Sequence, residues 1–281
     1  MTEVGPGHEA PQARGDGASD AFTFAFGDPQ HQLFGLARVG HVPGDPPTRS
    51  GMGLLFDGGE PVAVRAEGDS ADDAPAGVSQ EVVEPLRRWR VAFGDAFALD
   101  VEALGPPAVL DAGDPVARAG GMEGYEQLVR VRGTVAGRTV DCLGQRGHSW
   151  GAPDWSKLAL TRTISAWLDT ETAVSIVAVR TASAKHHADE AVAATLVQAG
   201  TPVRIAEPLV STTFDGEGRQ RHAGLELWLD PEGGYPHRAA GEVLCGTTLD
   251  LGRLRLDAAF FAWRMEGRSG VGRYDILRKA G

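Results

Sequence analysis

The chain has 281 residues, of which 27 are Lys or Arg and 38 are Asp or Glu, so its formal net charge is −11. This length fits one large or two modest domains, and a hydrophobic content of 42% supplies a buried core, which excludes global disorder. The acidic balance argues against a nucleic-acid-binding protein and against polybasic attachment to a membrane, because both need a basic surface.

Turn-forming residues are abundant along the whole chain. The 38 glycines and 17 prolines are nearly twice the usual share of about 12%, which favours short β-strands over a helix bundle. The two cysteines, Cys142 and Cys245, are too few for a disulfide scaffold or a cysteine zinc site, while a single disulfide between them stays open. No run of about 18 apolar residues occurs, so we expect no membrane-spanning helix.

The N-terminal residues 1–20 contain one branched aliphatic side chain, Val4. They lack the apolar stretch of a secretory signal, so we expect a cytoplasmic protein. With so little to bury, residues 1–20 are predicted to be a disordered tail. The carboxylate-rich stretch 67–77 is predicted to be a solvated surface loop rather than a metal site.

From residue 21 onward the apolar residues mostly alternate with small or polar ones, the pattern of half-buried β-strands. The predicted strands and hairpins are 22–26, 86–93 with 97–104, 125–132 with 138–143, 158–169 with 172–183, 222–234, 253–267 and 270–279. Residues 189–199 fit a helix or a strand that ends in a tight turn equally well, since Gly200-Thr201-Pro202 follows. This layout predicts an antiparallel sandwich or barrel and not a parallel α/β sheet.

The segment 144–155, GQRGHSWGAPDW, has the most unusual composition of the chain and allows three interpretations. In the first, GHSWG is the nucleophile elbow of a serine hydrolase, with Ser149 as nucleophile and Asp230, His222 or His237 as partners. That motif needs a helix directly after the serine, and a strand-like run follows instead.

The other two interpretations use the histidine and the aspartate of the same segment. In one, His148 bonds Asp154 across a tight loop while Trp150 and Trp155 plug the end of a barrel. In the other, the four residues form an acid–base site in an apolar pocket. A carboxylic acid that burial keeps neutral can protonate an alkene, and indole faces stabilise the resulting cation.

The run from Tyr125 through Trp155, a strand, a hairpin and then G-x-x-G-H-S-W-G-x-x-D-W, resembles the signature of the AttH / carotenoid hydratase (hydroxyneurosporene synthase) superfamily. The C-terminal GRSGVGRYD adds to the resemblance. The resemblance implies two tandem lipocalin-like β-barrels and a hydratase, cyclase or isomerase that acts on a terpenoid or lipid-like molecule. Pro153 and Gly147 replace the basic and acidic residues that are common at these positions in the superfamily.

We therefore predict an all-β protein with a first lipocalin-like half over 21–155 and a second half over 156–281. Its expected partner is a hydrophobic small molecule, without a metal or a redox cofactor. His186 and His187 do not share a metal, because adjacent residues of a strand point to opposite faces. The alternative function is a non-catalytic lipid-binding module.

The expected catalytic residues are His148 and Asp154, and which of them is the acid stays open. Trp150 and Trp155 are expected to contact the substrate. Tyr125 and Gln127 are added to this set because residues two apart share one face of a strand, and an inward face would present them to the ligand.

Overall fold

The computed structural model of the chain describes residues 3–13, 15, 17–69, 74–186 and 189–280. It contains two antiparallel sheets, one in each of two compact units. The first unit comprises Met1–Ala112 and Gly121–Pro153, and the second comprises Gly113–Gly120 and Asp154–Gly281. The two predicted lipocalin-like halves thus correspond to two sheets, and the prediction of an all-β protein is confirmed.

In its described residues, the first unit contains ten strands. They are β1 (Ser19–Asp28), β2 (Leu33–Val42), β3 (Thr48–Phe56), β4 (Val62–Asp69), β5 (Val78–Glu84), β6 (Arg88–Phe93), β7 (Phe97–Ala103), β8 (Ala108–Leu110), β9 (Met122–Val135) and β10 (Arg138–Gly151). Short 3-10 turns lie at Pro6–Glu9 and Pro75–Gly77.

Over the part of the second unit that the structure describes, there are one short helix and nine strands. They are α1 (Pro115–Gly120), β11 (Leu158–Trp167), β12 (Ala173–Thr181), β13 (Ala191–Gln198), β14 (Thr201–Arg204), β15 (Glu207–Phe214), β16 (Gln220–Trp228), β17 (His237–Asp250), β18 (Leu254–Met265) and β19 (Arg268–Lys279). Helix α1 packs against β12 and β13.

The two sheets share one topology. The strand order is β4-β3-β2-β1-β10-β9-β7-β6-β5 in the first sheet, where β8 also pairs with β9, and β14-β13-β12-β11-β19-β18-β17-β16-β15 in the second. In both, four strands run as a meander, five more follow in this order, apart from β8 in the first sheet, and the last strand returns to pair with the first. The sequence shows only a loose likeness between the halves, whereas the strand order shows a structural repeat.

Alternation along the strands divides the inner face of each sheet from the outer face. In the first sheet, Phe22, Phe24 and Phe26 lie in one apolar cluster with Trp89. In the second, the corresponding cluster is built around Trp263 and other buried residues of β11–β19. Each unit therefore has a core of its own inside its curled sheet.

The structure settles two questions that the sequence left open. Residues 189–199 supply a strand, β13, because it pairs with β12 on one side and with β14 on the other. Ala199 and Gly200 then form the tight turn, both with positive φ. Cys142 and Cys245 are both free, so no disulfide joins them.

The prediction of a disordered tail over 1–20 is wrong where the structure describes the segment. The side chain of Glu9 is 8% exposed and hydrogen-bonded inside the first unit, and Ser19 already begins β1. The prediction failed because it weighed only apolar burial, whereas this segment is held by polar contacts. The chain divides between Pro153 and Asp154, two residues before the predicted boundary of the halves, whose exact place stays a prediction.

We expect Gly272→Ala to lower the free energy of unfolding by about 1–3 kcal/mol, the usual cost of overpacking. A Cβ on Gly272 would overlap the carbonyl oxygen of Ser165 and lie 2.6 Å from its carbonyl carbon, and these backbone atoms cannot rotate away. Gly216→Ala is the control, because no atom lies within 4 Å of its added Cβ. Urea unfolding curves that coincide for both variants would contradict this close approach of β11 and β19.

Candidate functional site

The residues of unusual chemistry lie on the inner face of the first sheet, where β1, β10 and β9 are neighbours. His148 of β10 stands opposite Phe22 on β1 and opposite Tyr125 on β9. Directly paired residues of an antiparallel sheet share a face, and residues two apart along a strand share it too. Arg146 and Trp150 therefore lie on the same face as His148.

His148 forms a buried ion pair or hydrogen bond with a carboxylate far away in the sequence. Its Nε2 lies 2.7 Å from Oδ1 of Asp20, and both side chains are 0% exposed. The other oxygen of Asp20 accepts the backbone N–H groups of Gln12 at 2.6 Å and of Ala13 at 3.0 Å. Within the described part of the chain, Nδ1 of His148 has no hydrogen-bond partner.

The protonation of this pair follows from the surroundings of the carboxyl group. Burial alone would raise the pKa of Asp20, but the hydrogen bond and charge of His148 and the amides of Ala13 and Gln12 hold that pKa below its ordinary value. Asp20 is therefore an ionised acceptor, and Nε2 of His148 carries the proton between them. The unpartnered Nδ1 is then the nitrogen that is left for chemistry.

Aromatic rings surround the imidazole of His148. The ring of Phe22 stacks on it with centroids 4.0 Å apart, and Trp150 lies 4.8 Å away. The Tyr125 ring meets its edge at 5.8 Å. The His–Asp pair thus lies in an apolar environment, in which its electrostatic interactions are strong.

A second buried polar group lies two residues before His148. The guanidinium of Arg146, which is 0% exposed, lies 4.8–5.3 Å from the ring centroids of Phe22, Trp89 and Tyr125. It donates to the hydroxyl of Tyr125 and, at 2.6 Å, to Oε2 of Glu9. Burial raises the pKa of Tyr125 to about 12 against the opposing effect of Arg146, so the phenol keeps its proton.

A cavity of about 510 Å³ opens beside this cluster, between β2 and β3 on one side and β5–β7 on the other. His41 lines it together with Val39 and Arg49. The ring of His41 lies 6.0 Å from that of Phe22, so His41 connects the cavity to the cluster. Burial and the charge of Arg49 lower the pKa of His41, and the charge of Asp20 offsets this only in part.

Gln127 lies on the predicted face, but its amide is used to hold the backbone. Its Nε2 donates to the carbonyl oxygens of Leu86 and Gly105, both at 3.2 Å. Gln127 therefore fixes the turn between β5 and β6. Its predicted contact with a substrate stays a prediction, as does that of Trp150.

The predicted pair of His148 and Asp154 is not formed. Asp154 is 49% exposed, accepts hydrogen bonds from Ser156 and forms an ion pair with Lys157. The hydrogen bonds from Ser156 and Lys157 lower its pKa to about 2, whereas the predicted acid needs a raised pKa. The tight loop that would join the two residues is absent because β10 continues as an extended strand through Gly151.

The remaining sequence predictions concern Trp155 and Ser149. Trp155 lies half-buried in the turn after Asp154, and none of the ring contacts among the described residues involves it. Ser149 lies inside β10, paired with Ala21 and Gly124, so it faces away from His148. The serine hydrolase alternative is wrong, because GHSWG forms a continuous strand and not a strand–turn–helix elbow.

His186 is exposed in a loop, and His187 lies outside the described residues. Across the described ranges, no group of three or more His, Cys, Asp and Glu side chains is placed to hold a metal ion. Of the helices that the structure describes, none combines the length and the apolarity that crossing a bilayer requires.

Four residues of the cluster were missed by the sequence analysis: Glu9, Asp20, His41 and Arg146. A signal was present for Asp20, which is in phase with Phe22, Phe24 and Phe26 and so belongs to a buried face. Arg146 is likewise in phase with His148. No spacing argument connects Glu9 to the sheet, since its contact spans 137 residues.

Comparison with known proteins places the chain in a family. Residues 5–280 match the family described as a domain of unknown function, DUF7064. The chain belongs to the DUF7064 family. Among curated proteins, none matches it in sequence.

Solved structures share the fold of this DUF7064 chain at low sequence identity. An AttH-type protein of Nitrosomonas europaea has a TM-score of 0.63 at 13% identity, over 94% of this chain and 93% of its own. Kievitone hydratase of Nectria haematococca has a TM-score of 0.56 at 13% identity, over 95% of this chain and 90% of its own. CghA, solved with Sch210972, has a TM-score of 0.63 at 11% identity, over 94% of this chain and 89% of its own. The tandem lipocalin-like fold that the resemblance implies is confirmed.

We expect Asp20→Asn to reduce the loss of stability in acid. The folded state holds the pKa of Asp20 below its ordinary value of 3.8, so the ionised group stabilises the fold above about pH 4. This stabilisation disappears as the pH falls through the folded-state pKa. The free energy of unfolding is measured in urea at pH 7, 5, 4 and 3. At pH 7 it should be lower for Asp20→Asn than for the wild type, and it should fall less steeply as the pH is lowered.

The control for this experiment is Asp95→Asn, at an exposed position of the β6–β7 turn. We expect its stability to follow the wild-type dependence on pH. An Asp20→Asn variant whose stability parallels the wild type at every pH would contradict the assignment of an ionised, hydrogen-bonded Asp20.

Proposed function

We propose that this chain is an enzyme that adds or moves a proton on a hydrophobic small molecule, as hydratases, cyclases and isomerases do, with His148 as the general acid or base and Asp20 as the residue that orients it. The observation that carries the proposal is the buried pair of these residues, 2.7 Å apart, with Nδ1 of His148 lacking a partner in the described chain. Buried histidines usually satisfy both ring nitrogens unless one is kept for function.

His148 and Asp20 have different roles in the proposed proton transfer. The carboxylate of Asp20 accepts the N–H at Nε2, which orients the ring and leaves Nδ1 as the nitrogen that gives or takes the transferred proton. When the imidazole takes a proton at Nδ1, Asp20 stabilises the resulting imidazolium, which can return the proton elsewhere on the substrate. A positioned acid or base of this kind contributes about 10²–10⁴-fold in rate.

The rings around the pair suit an apolar substrate and a positive charge that develops on it. Phe22 and Trp150 present π faces near the imidazole, and such faces attract cations. Tyr125 adds a protonated hydroxyl beside them. Protonation followed by addition of water or ring closure changes no oxidation state overall, so the reaction class requires no redox cofactor.

Structures with the same fold support this class of function. One of them is named as a hydratase, and another was solved together with the small molecule Sch210972. A terpenoid or other lipid-like molecule is the substrate class that the sequence resemblance implies.

A non-catalytic lipid-binding module is the second candidate function. The cavity of about 510 Å³ favours binding of a small ligand away from the His–Asp pair, because its volume suits such a ligand and its described lining includes His41 but not His148. In this alternative the cavity holds a ligand and leaves it unchanged.

The experiment measures proton transfer without assuming the final product. The chain is incubated in D₂O with isoprenoid alkenes and hydrophobic ketones, and deuterium incorporation is followed by mass spectrometry. We expect His148→Gln to lose at least about 10²-fold of the wild-type rate, because it removes the transferring nitrogen. Asp20→Asn should lower the rate constant more than it changes ligand affinity.

Asp154→Asn is the matched control, since Asp154 is exposed and bonded only to nearby residues. We expect it to exchange deuterium at the wild-type rate. Ligand binding by the wild type without deuterium in any compound would instead favour the binding module. Equal rates for His148→Gln and the wild type would refute the role of His148.

A further inference from the structure

The N-terminal segment places a carboxylate inside the first sheet. Glu9 Oε1 accepts the backbone N–H of Leu86 at 2.8 Å, and Oε2 accepts Arg146 Nη2 at 2.6 Å. The indole N–H of Trp89 is shared between both oxygens at 3.3 and 3.2 Å. Three donors of different kinds therefore converge on one carboxylate that comes from outside the sheet.

Two of the three donors, the Leu86 amide and the Trp89 indole, have supports other than Glu9. Leu86 has φ +59°, a left-handed conformation that is unfavourable for a residue with a side chain, and Gln127 binds its carbonyl oxygen. Trp89 is buried in the core of the first sheet.

We infer that the Leu86 amide, the Trp89 indole and the Arg146 guanidinium form a carboxylate-binding site, which Glu9 occupies in place of a ligand, and that the ligand is a hydrophobic molecule bearing a carboxylate. The inference rests on the proposed function only in placing that ligand beside His148. It names the substrate class that the fold leaves open.

Charge and shape favour a carboxylate over a phosphate. The site supplies one guanidinium, one indole N–H and one amide N–H, which suit a planar group with two oxygens and a single negative charge. A phosphate dianion would carry an additional negative charge, and Glu9 itself shows that a carboxylate satisfies the donors.

The position of this site relative to His148 makes it useful for catalysis. Arg146 and His148 are two residues apart on one face of β10, which separates their Cα atoms by roughly 7 Å. A molecule held by its carboxylate at Arg146 would thus present atoms a few bonds away to the imidazole. Phe22 and Trp150 would contact its apolar part.

His8 covers the same region while Glu9 fills the site. Its ring centroid lies 5.7 Å from that of Trp150, and its carbonyl oxygen accepts the hydroxyl of Tyr125 at 3.4 Å. A ligand that displaces Glu9 would therefore release the Tyr125 hydroxyl as well. Access to the carboxylate site and access to the proton donors are coupled through two adjacent residues.

The test uses farnesoate and farnesol, two isoprenoids that differ in their head group, and measures their affinity by titration calorimetry. We expect Glu9→Ala to bind farnesoate at least about tenfold more tightly than the wild type, because a tethered competitor is gone. Farnesol affinity should change little. Glu3→Ala, which removes an exposed carboxylate from the same segment, should bind both compounds like the wild type.

Two further measurements keep the test decisive if Glu9→Ala is unstable. Farnesoate, and not farnesol, should raise its melting temperature, because the ligand carboxylate pairs with Arg146. The double variant Glu9→Ala/Trp89→Phe keeps an aromatic ring but lacks the indole donor, and it should lose most of the gain in farnesoate affinity.

Equal affinity of Glu9→Ala for the two compounds, or a melting temperature that farnesoate does not raise, overturns the inference and leaves Glu9 as a structural counter-ion. Failure of the proposed function is a separate result. Selective farnesoate binding without His148-dependent deuterium incorporation would refute the proton-transfer role and retain the carboxylate site. Deuterium incorporation into neutral compounds alone, without farnesoate selectivity, would refute the carboxylate site and retain the proton-transfer role.

Discussion

The side chain of Arg146 puts a permanent positive charge in the interior of the first sheet, and a series of contacts follows from it. An unpaired buried charge is strongly destabilising, which explains why Glu9 is drawn inside the sheet. The position of Glu9 fixes the segment that contains Gln12 and Ala13, whose amides bind Asp20. Asp20 in turn orients His148. The electrostatics of one guanidinium are thus connected to the proton-transfer pair through a single stretch of chain.

Part of the strand layout was predictable from sequence, because alternation of apolar residues directly encodes which face of a strand is buried. The strands β2, β3, β4 and β5 were not among those predicted. Phe22, Phe24 and Phe26 predicted β1. The strand predicted over 138–143 was too short, because β10 continues through GHSWG to Gly151, where a loop was expected. The same rule predicted that Tyr125 and Gln127 share a face, which the register confirms. These are local properties, and a few residues are enough to specify them.

The partner of His148 was not predictable in the same way. Asp154 is six residues from it and Asp20 is 128 residues away, and sequence reasoning favours the near neighbour. Only the return of β10 to β1 places Asp20 beside His148, because that pairing depends on the closure of the whole sheet. The contact of Glu9 with Arg146 has the same origin. Polar contacts between distant segments leave no periodic pattern in the sequence.

The second sheet repeats part of this arrangement without its chemistry. Its interior also holds a buried arginine, Arg162, which lies 3.0 Å from Glu190 and donates to the Tyr274 hydroxyl at 3.3 Å. Of the histidines that the structure describes in this unit, none is buried. The shared topology therefore accommodates an interior cation in both units, while the buried His–carboxylate pair belongs to the first.

The end strands β4 and β5 of the first sheet are not joined by a hydrogen-bonded ladder in the described chain, and the cavity lies along the seam between β5 and the β2–β3 strands. A closed barrel has a fixed circumference, whereas a curled sheet whose end strands are unpaired can open at that edge. The interior of the sheet can then widen while every hydrogen bond between paired strands stays intact. The size of ligand that fits inside the sheet is therefore separate from the stability of the fold. Substitutions along β5 can change the size of ligand accepted without changing that stability.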